Sequence, residues 1–592
     1  MGAQPGDCVD SNTYVLPSHE NENLSPEQSA ERIAEYFAQI SQEFPPLSQD
    51  ALPARVQSKL LIESSPPIID DYDVHQSIKA AKKPKSGVPG DLPRAIVQEF
   101  SPELATPLRC LVENIIQSGD WPDQWKFEWV TAIGKIPIPE TEDDLRPISL
   151  TAFFSKVTER MVVNWLLEYI SDKMDFRQYG GSKGNSINHY IIEFINFILL
   201  NQDITDQTAV LACMVDFAKA FNRINHNFII TKLSDMGVPA WLLKVVMGFL
   251  TNRRMIVKYG GKQSSTKYLP GGGPQGTLLG LFLFLVLIND AGFEGQENNA
   301  GEVLTSKRNM KKVNRIHLKY VDDMSIAEAV NLPEKLISLP DSERVLPDMY
   351  HARTGHVLPL GDSEVFRKLK ETEEYATVNQ MKINYHKTKL MLFNPCWSVD
   401  FMPEMELGNQ QLELVEQMRL LGVIIQSDLK WASNTEDIVK RASNKLWVIR
   451  RLKSLGANTD ELLDMYIKQC RSILEFGAPV WHGAITNVER QDIERTQKGA
   501  LHIILGDQYG DYRNALQMTN LESLEDRRTK LCTKFAKKAE RDEKHKQWFK
   551  PKPKVKTRQT DLKYWPPVAR TGRLLKSPIS YLTRLLNHVD MK

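Results

Sequence analysis

Hydrophobic positions along the chain recur with two periods. Val210 to Phe217 is apolar apart from Asp216, which reads as a buried strand carrying a carboxylate at its end, where the chain turns into Ala218 to Phe221. Ile316 to Val321 reads as a second strand and delivers Asp322 and Asp323, while Leu390 to Phe393 reads as a third. Apolar and polar residues alternate from Trp129 to Pro139, which predicts a hairpin leading into Leu145 to Leu150. Helical spacing appears over Tyr72 to Ala81 and Pro93 to Ser118, separated by the basic glycine loop Lys82 to Gly87. It returns in Leu233, Trp241, Leu242, Val245, Val246 and Phe249, after which Arg253 to Tyr259 forms a basic, hairpin-like segment. Leu278 to Ile288 is apolar all round and predicts a buried core helix, too short to span a bilayer. Three amphipathic helical stretches follow near 433–454, 459–475 and 487–504.

With 42% hydrophobic and 25% charged residues, the 592-residue chain has ample material for globular cores. Its formal net charge of +1 hides an uneven distribution. Asp7, Asp10, Glu20, Glu22, Glu27, Glu31 and Glu35 face only Arg32 before residue 40, so the opening reads as an acidic linker or interaction segment with one amphipathic stretch near Ala30 to Ile40. Between Arg527 and Lys576 there are 18 Lys or Arg and 4 acids, which predicts a basic tail attractive to a polyanion such as nucleic acid. The six cysteines form no CxxC pair, so neither a disulfide framework nor a zinc knuckle is expected, and a reducing, intracellular compartment fits.

Chemistry concentrates at Tyr320-Val321-Asp322-Asp323. Adjacent carboxylates in an apolar setting repel each other and lose hydration unless a cation neutralises them. Hard oxygen ligands suit magnesium, which takes a few carboxylates together with waters and substrate phosphates, so a phosphoryl-transfer site is expected. For the pair alone, an exposed Asp-Asp turn is the more frequent explanation, and for Asp216 alone a helix cap is. Gly271 to Thr277 precedes the apolar helix, where glycines let backbone approach a flat or anionic ligand, or simply make a turn.

Taken in order, the segments LRPISL (145–150), SKVTERMV (155–162), QYGGSKGNSI (178–187), DFAKAFNRINH (216–226), GGGPQGTLLG (271–280), YVDD (320–323), MKINYHKTK (381–389), LLGVII (420–425) and LEFGAPVW (474–481) resemble the reverse transcriptases of non-LTR, LINE-like retrotransposons. The resemblance runs from about Lys85 to Thr529. It implies an α+β right-hand polymerase with fingers, a ferredoxin-like palm sheet and a mostly helical thumb. The implied activity is RNA-directed DNA synthesis on template RNA from a DNA primer, with deoxynucleoside triphosphates and two magnesium ions, manganese being an alternative. Asp216, Asp322 and Asp323 are then the catalytic carboxylates, the first two bridging the metals, with the Phe217 carbonyl as a further oxygen ligand. Phe221 matches the aromatic gate against a 2′-hydroxyl. Gln275, beside Gly276, matches the residue that touches the incoming nucleotide, and Arg146 with Lys135 matches basic groups meeting its triphosphate or the template. Either Lys387 or Lys389 matches the lysine that assists protonation of pyrophosphate. Asn222, Ser182 and Leu281 depart from the pattern, and none of them removes a metal ligand.

The expected division is an acidic, partly disordered linker over 1–50, a helical extension over 51–128, fingers and palm over 129–425, a helical thumb over 426–530 with Arg441, Lys445, Arg450, Arg451 and Lys453 facing a duplex, and a basic tail over 531–592. The sequence has no recognisable endonuclease or RNase H pattern, so a cleavage domain is expected to be missing from this chain. Localisation to nucleus and cytoplasm is expected without a firm targeting signal. The competing expectation is a catalytically inactive, reverse-transcriptase-derived RNA-binding protein.

Overall fold

The computed structural model describes residues 16–81, 88–136, 138–205, 208–291, 315–331, 348–351, 357–359, 363–394, 401–552 and 562–589. Two compact units interleave along the chain. The first takes Met1–Gly181, Phe217–Glu294 and Thr372–Ile383, and the second takes Ser182–Asp216, Gly295–Glu371 and Asn384–Lys592. The block expected to form fingers and palm, 129–425, is therefore shared between both units. In chain order the strands β1 (Phe127–Gly134) and β2 (Leu145–Leu150) precede β3 (Thr208–Val215). After these come β4 (Arg253–Tyr259), β5 (Lys262–Gln263), β6 (Lys267–Leu269), β7 (Arg315–Tyr320) and β8 (Asp323–Asn331).

The first unit is built on a sheet of order β2-β1-β4-β5, with β6 also pairing β4. β1 runs antiparallel to β2, with Ile133 opposite Arg146, and parallel to β4. Residues along β4 are alternately buried and half-buried, so the period of two seen in the sequence gives the sheet one apolar face. That face, with Val130, Ala132, Met255, Val257 and Tyr259, is covered by Ala30, Ile33, Ala34, Phe37 and Ala38 of the helix Pro26–Ser41. The expected acidic linker is thus corrected over its described part: a helix opened by a Ser25/Gln28 capping box belongs to the core, and residues 1–15 lie outside the described residues. Its acids are not a solvated run. Glu27 pairs with Lys262, and Glu31 and Glu35 pair with Lys267 on the basic strands. Hydrogen bonds from Lys267 and Ser265 hold the Glu31 carboxyl down to about 2.

In the second unit the sheet order is Glu413–Leu414, Lys389–Phe393, β3, β8, β7. β3 is central and buried along its whole length, as its apolar run requires. The helix Ile187–Gln202 packs on β3 and β7. Beyond the sheet, the helices Ala432–Ser454 and Asn487–Leu505 bury Leu446, Ile449, Ala500 and Ile504 together with Tyr466. The expected helix over 459–475 divides into Thr459–Met465, a π-helical turn Tyr466–Arg471, and Ser472–Glu475. A second correction concerns the tail. Leu524–Arg541 and Pro578–Val589 are helices packed on each other, burying Cys532, Ala536, Ile579, Leu582 and Leu586, so 531–552 and 562–589 are folded chain. The apolar spacing within this basic segment decides its packing, and most of its charges lie on the outer faces, Arg528 being buried. Among the described residues no helix is long and apolar enough to cross a membrane.

Candidate active site

Register within the second unit brings three aspartates to one end of its sheet. Val215 pairs with Met324 and Tyr320 with Asp323, so continuing the β3–β8 ladder by one residue sets Asp216 beside Asp323. The expected strand to Val321 stops at Tyr320, and Val321-Asp322 forms the two-residue connection to β8. Val321 has φ +59°, a conformation that costs a β-branched residue about 1–3 kcal/mol. That strain presents Asp322 at the hairpin tip. The Asp216 backbone is fixed on both sides: its N–H donates to Thr388 Oγ1 at 3.3 Å, and its carbonyl accepts from the Asn384 N–H at 2.8 Å. Behind the hairpin the buried Tyr190 donates to Ser325 Oγ at 2.7 Å and meets the Tyr320 ring edge-on at 6.0 Å. Tyr190 was not legible in the sequence, because one tyrosine in an apolar helix looks like ordinary core.

Burial, reinforced by the charges of Asp322 and Asp216, pushes the Asp323 carboxyl up to about 7. Three carboxylates so placed concentrate negative charge at one end of the sheet, a chemistry that suits a divalent cation. Among the described residues no three His, Cys, Asp or Glu side chains close into a metal cage. A carboxyl raised from near 3.9 unfolded to about 7 folded binds its proton more tightly in the folded state, so stability falls as pH rises through that window. At about 1.4 kcal/mol per unit the loss is on the order of 4 kcal/mol by pH 8. Asp323→Asn is therefore expected to raise the melting temperature of metal-free protein at pH 8 and leave it nearly unchanged at pH 4. Parallel wild-type and variant curves between these pH values would contradict the assignment.

The first unit gathers a different set. Gln275 accepts the Ser149 N–H of β2 through its carbonyl at 2.8 Å, and Gly276 follows with φ +117°, where a Cβ would come within 3.2 Å of the Ser149 carbonyl oxygen. Only glycine takes that conformation without strain. Phe221 lies on the loop after Phe217, its ring stacked on Phe284 at 4.7 Å and its carbonyl accepting from the Gly273 N–H at 2.9 Å. The Gly272 N–H donates to Ile224 O at 2.8 Å, while His226 Nε2 donates to Gly272 O at 2.6 Å. Because a carbonyl only accepts, His226 is protonated on Nε2, and burial holds it neutral, down to about 4. The glycine loop and the Phe221 loop are thus one hydrogen-bonded assembly. Arg146 is exposed on the edge strand β2.

Other expected residues stand differently. The Lys135 ammonium donates to the Asp143 carbonyl, so it is engaged by its own loop. Phe217 is buried and its backbone bridges Ile383. Lys389 pairs across the sheet with Met214, and its ammonium is held by Glu413. Beyond Lys389 the register breaks: the chain turns over 385–387, where Lys387 is exposed, and it is the Asn384 N–H that meets the Asp216 carbonyl. Sequence reasoning missed the helix Pro26–Ser41 as a support for the Phe221 loop. Tyr36 donates to Asp143 Oδ1 at 2.6 Å, the Lys219 ammonium lies 4.2 Å from the Tyr36 ring centroid, and Arg223 pairs with Glu43 at 3.1 Å.

Residues 138–343 of the chain match the family described as reverse transcriptase (RNA-dependent DNA polymerase). Its relatives are proteins of mobile elements. The probable RNA-directed DNA polymerase from transposon BS of Drosophila melanogaster is 27% identical over 221 residues, 37% of this chain and 24% of that protein. The RNA-directed DNA polymerase from mobile element jockey of Drosophila melanogaster is 28% identical over 215 residues, 36% of this chain and 23% of the relative. A putative 115 kDa protein in the type-1 retrotransposable element R1DM of the same species is 20% identical over 441 residues, 73% of this chain and 38% of the relative. The matched regions span roughly a quarter to two fifths of these relatives' length, and they bear out the resemblance to non-LTR retrotransposon reverse transcriptases.

Proposed function

We propose that the chain is an RNA-directed DNA polymerase of the non-LTR retrotransposon kind, adding deoxynucleotides to a primer 3′-hydroxyl on an RNA template. The observation that carries this reading is the trio Asp216, Asp322 and Asp323 on one sheet edge, with Asp323 raised by its neighbours, inside a chain that matches the reverse transcriptase family. In this reading the sheet of β3, β8 and β7 is the palm, the sheet of β1, β2 and β4 belongs to the fingers, and the helices Ala432–Ser454, Asn487–Leu505 and Leu524–Arg541 form the thumb. Asp216 and Asp322 would hold two magnesium ions, with Asp323 adding charge behind them and the Phe217 carbonyl as a further ligand. Magnesium there supplies a lowered pKa at the primer hydroxyl and charge stabilisation at the departing pyrophosphate.

The chain's own residues do the rest. Gln275 and Gly276 present the nucleotide-binding loop, and Phe221 closes the space beneath the sugar. Arg146, exposed on its edge strand, meets the triphosphate or template with bidentate geometry. Of the two lysines Lys387 is assigned the role at pyrophosphate, because Lys389 is occupied by Glu413. Lys387→Ala is expected to lower kcat by about 10²-fold with little change in deoxynucleotide KM, as loss of a general acid would, and Lys389→Ala to have a far smaller effect; single-turnover kinetics on both variants decide between them. On the thumb, Arg441 is shared with Asp437 and Lys453 with the Ile503 carbonyl, and Lys445, Arg450 and Arg451 on the same helix are assigned as backbone-tracking cations. The primer end has to be supplied by a strand-cutting activity, assigned to a separate domain or protein.

Retention of a mutually repelling carboxylate trio speaks against an inactive RNA-binding relic, since without a metal the trio only destabilises the fold. Extension of a DNA primer on an RNA template with magnesium and deoxynucleotides tests the proposal. Incorporation by wild type is expected, and RNA binding without any incorporation would favour the relic.

A further inference from the structure

Buried beneath the nucleotide loop of the first unit is a charged relay that the polymerase reading does not use. Ser149, whose backbone N–H holds the Gln275 carbonyl, donates its hydroxyl to Glu128 Oε2 at 2.6 Å. Glu128 Oε1 accepts from Arg253 Nε at 2.7 Å, and Arg253 Nη1 donates to the Phe249 carbonyl at 3.1 Å. The guanidinium also lies over the Phe249 ring, 4.5 Å from its centroid. All three side chains are buried, Arg253 to 1%, Glu128 to 2% and Ser149 to 5% relative exposure. Arg253 Nη2 is buried without an acceptor. Arg253, Glu128, Ser149 and Gln275 line one cleft with Asn222 and Gly272.

A buried ion pair is a poor way to gain stability, since apolar residues of similar volume do as well or better once desolvation is counted. What such a pair supplies is a fixed geometry, because its hydrogen bonds are satisfied in one arrangement only. Here that arrangement ends on Ser149, the residue tying the Gln275 loop to edge strand β2.

We propose that Arg253, Glu128 and Ser149 are positioning residues that set the register of the Gln275–Gly276 loop against β2, and so fix the distance between Gln275 and Arg146 at an incoming nucleotide. The proposal rests on the polymerase reading for its last clause, and its test separates the two. In the full chain, Ser149→Ala removes one hydroxyl, and Glu128→Met with Arg253→Met replaces the pair by apolar volume. Both are expected to raise hydrogen exchange in peptides covering 145–150 and 271–277 about tenfold, with melting temperature unchanged or, for the double variant, higher. Deoxynucleotide KM is expected to rise about tenfold with kcat nearly constant, the signature of lost ground-state binding. Ser149→Thr, which keeps the hydroxyl, restores both.

Unchanged exchange in 271–277 overturns the positioning role, whatever the enzyme does. Faster exchange with unchanged KM overturns its link to the nucleotide. A wild type without any incorporation overturns the polymerase reading, and the exchange result then decides the loop-holding role alone.

Discussion

Asp322→Asn is expected to lower magnesium-dependent primer extension by on the order of 10³-fold, equivalent to about 4 kcal/mol of transition-state stabilisation. The substitution keeps the side-chain volume and removes one charge from the hairpin tip, so the connection between β7 and β8 is preserved. It is also expected to stabilise the metal-free protein at pH 8, because Asp322 is the larger of the two charges that raise Asp323. Loss of activity with a gain in stability is an unusual pair of results. It distinguishes a charge that serves a metal from a structural aspartate, whose removal would lower both. Steady-state extension on an RNA template, alongside thermal unfolding with and without magnesium, measures the two effects. Full activity in Asp322→Asn would remove the hairpin tip from the chemistry.

Phe221→Ala is expected to raise the ratio of ribonucleotide to deoxynucleotide incorporation by on the order of 10²-fold, about 2.7 kcal/mol of discrimination. The ring is half-buried and stacked on Phe284, so truncation also removes packing, at a cost of roughly 1–3 kcal/mol in stability. Stability alone would not change the ratio, because a partly unfolded preparation loses both substrates equally. Competition between the two nucleotides in one reaction therefore reads the gate independently of the folded fraction. An unchanged ratio with a lower melting temperature would return Phe221 to the status of an ordinary core residue.

The site was legible in the sequence wherever chemistry sits in a short segment. Tyr320 to Asp323 announces its own electrostatic problem. The apolar strand before Asp216 announces a carboxylate at a sheet end, and the glycines before the Leu278–Leu287 helix announce a close approach of backbone. Local pattern also recovered β1, β2 and β4 and several helices, since periodicity records which face is buried, but not the helices Phe153–Ile170, Ile187–Gln202 and Leu524–Arg541. Charge counted along the chain was misleading. The acids of Pro26–Ser41 look solvated until Lys262 and Lys267, more than 230 residues away, are set against them. The basic C-terminal segment looked like a free tail until Leu582 and Leu586 were found packed under it.

By itself, then, the sequence pointed to a reaction class, because its ordered segments from LRPISL to LEFGAPVW resemble those of non-LTR retrotransposon reverse transcriptases. Tertiary structure alone decided that Asp216 stands beside Asp323, that the Lys389 ammonium is held by Glu413, and that Glu128 and Arg253, 125 residues apart, form one buried pair beneath Gln275. The physical reason is that a residue type states what a side chain is able to do. Which distant partner it meets is set by strand register and burial, and neither is written at any single position.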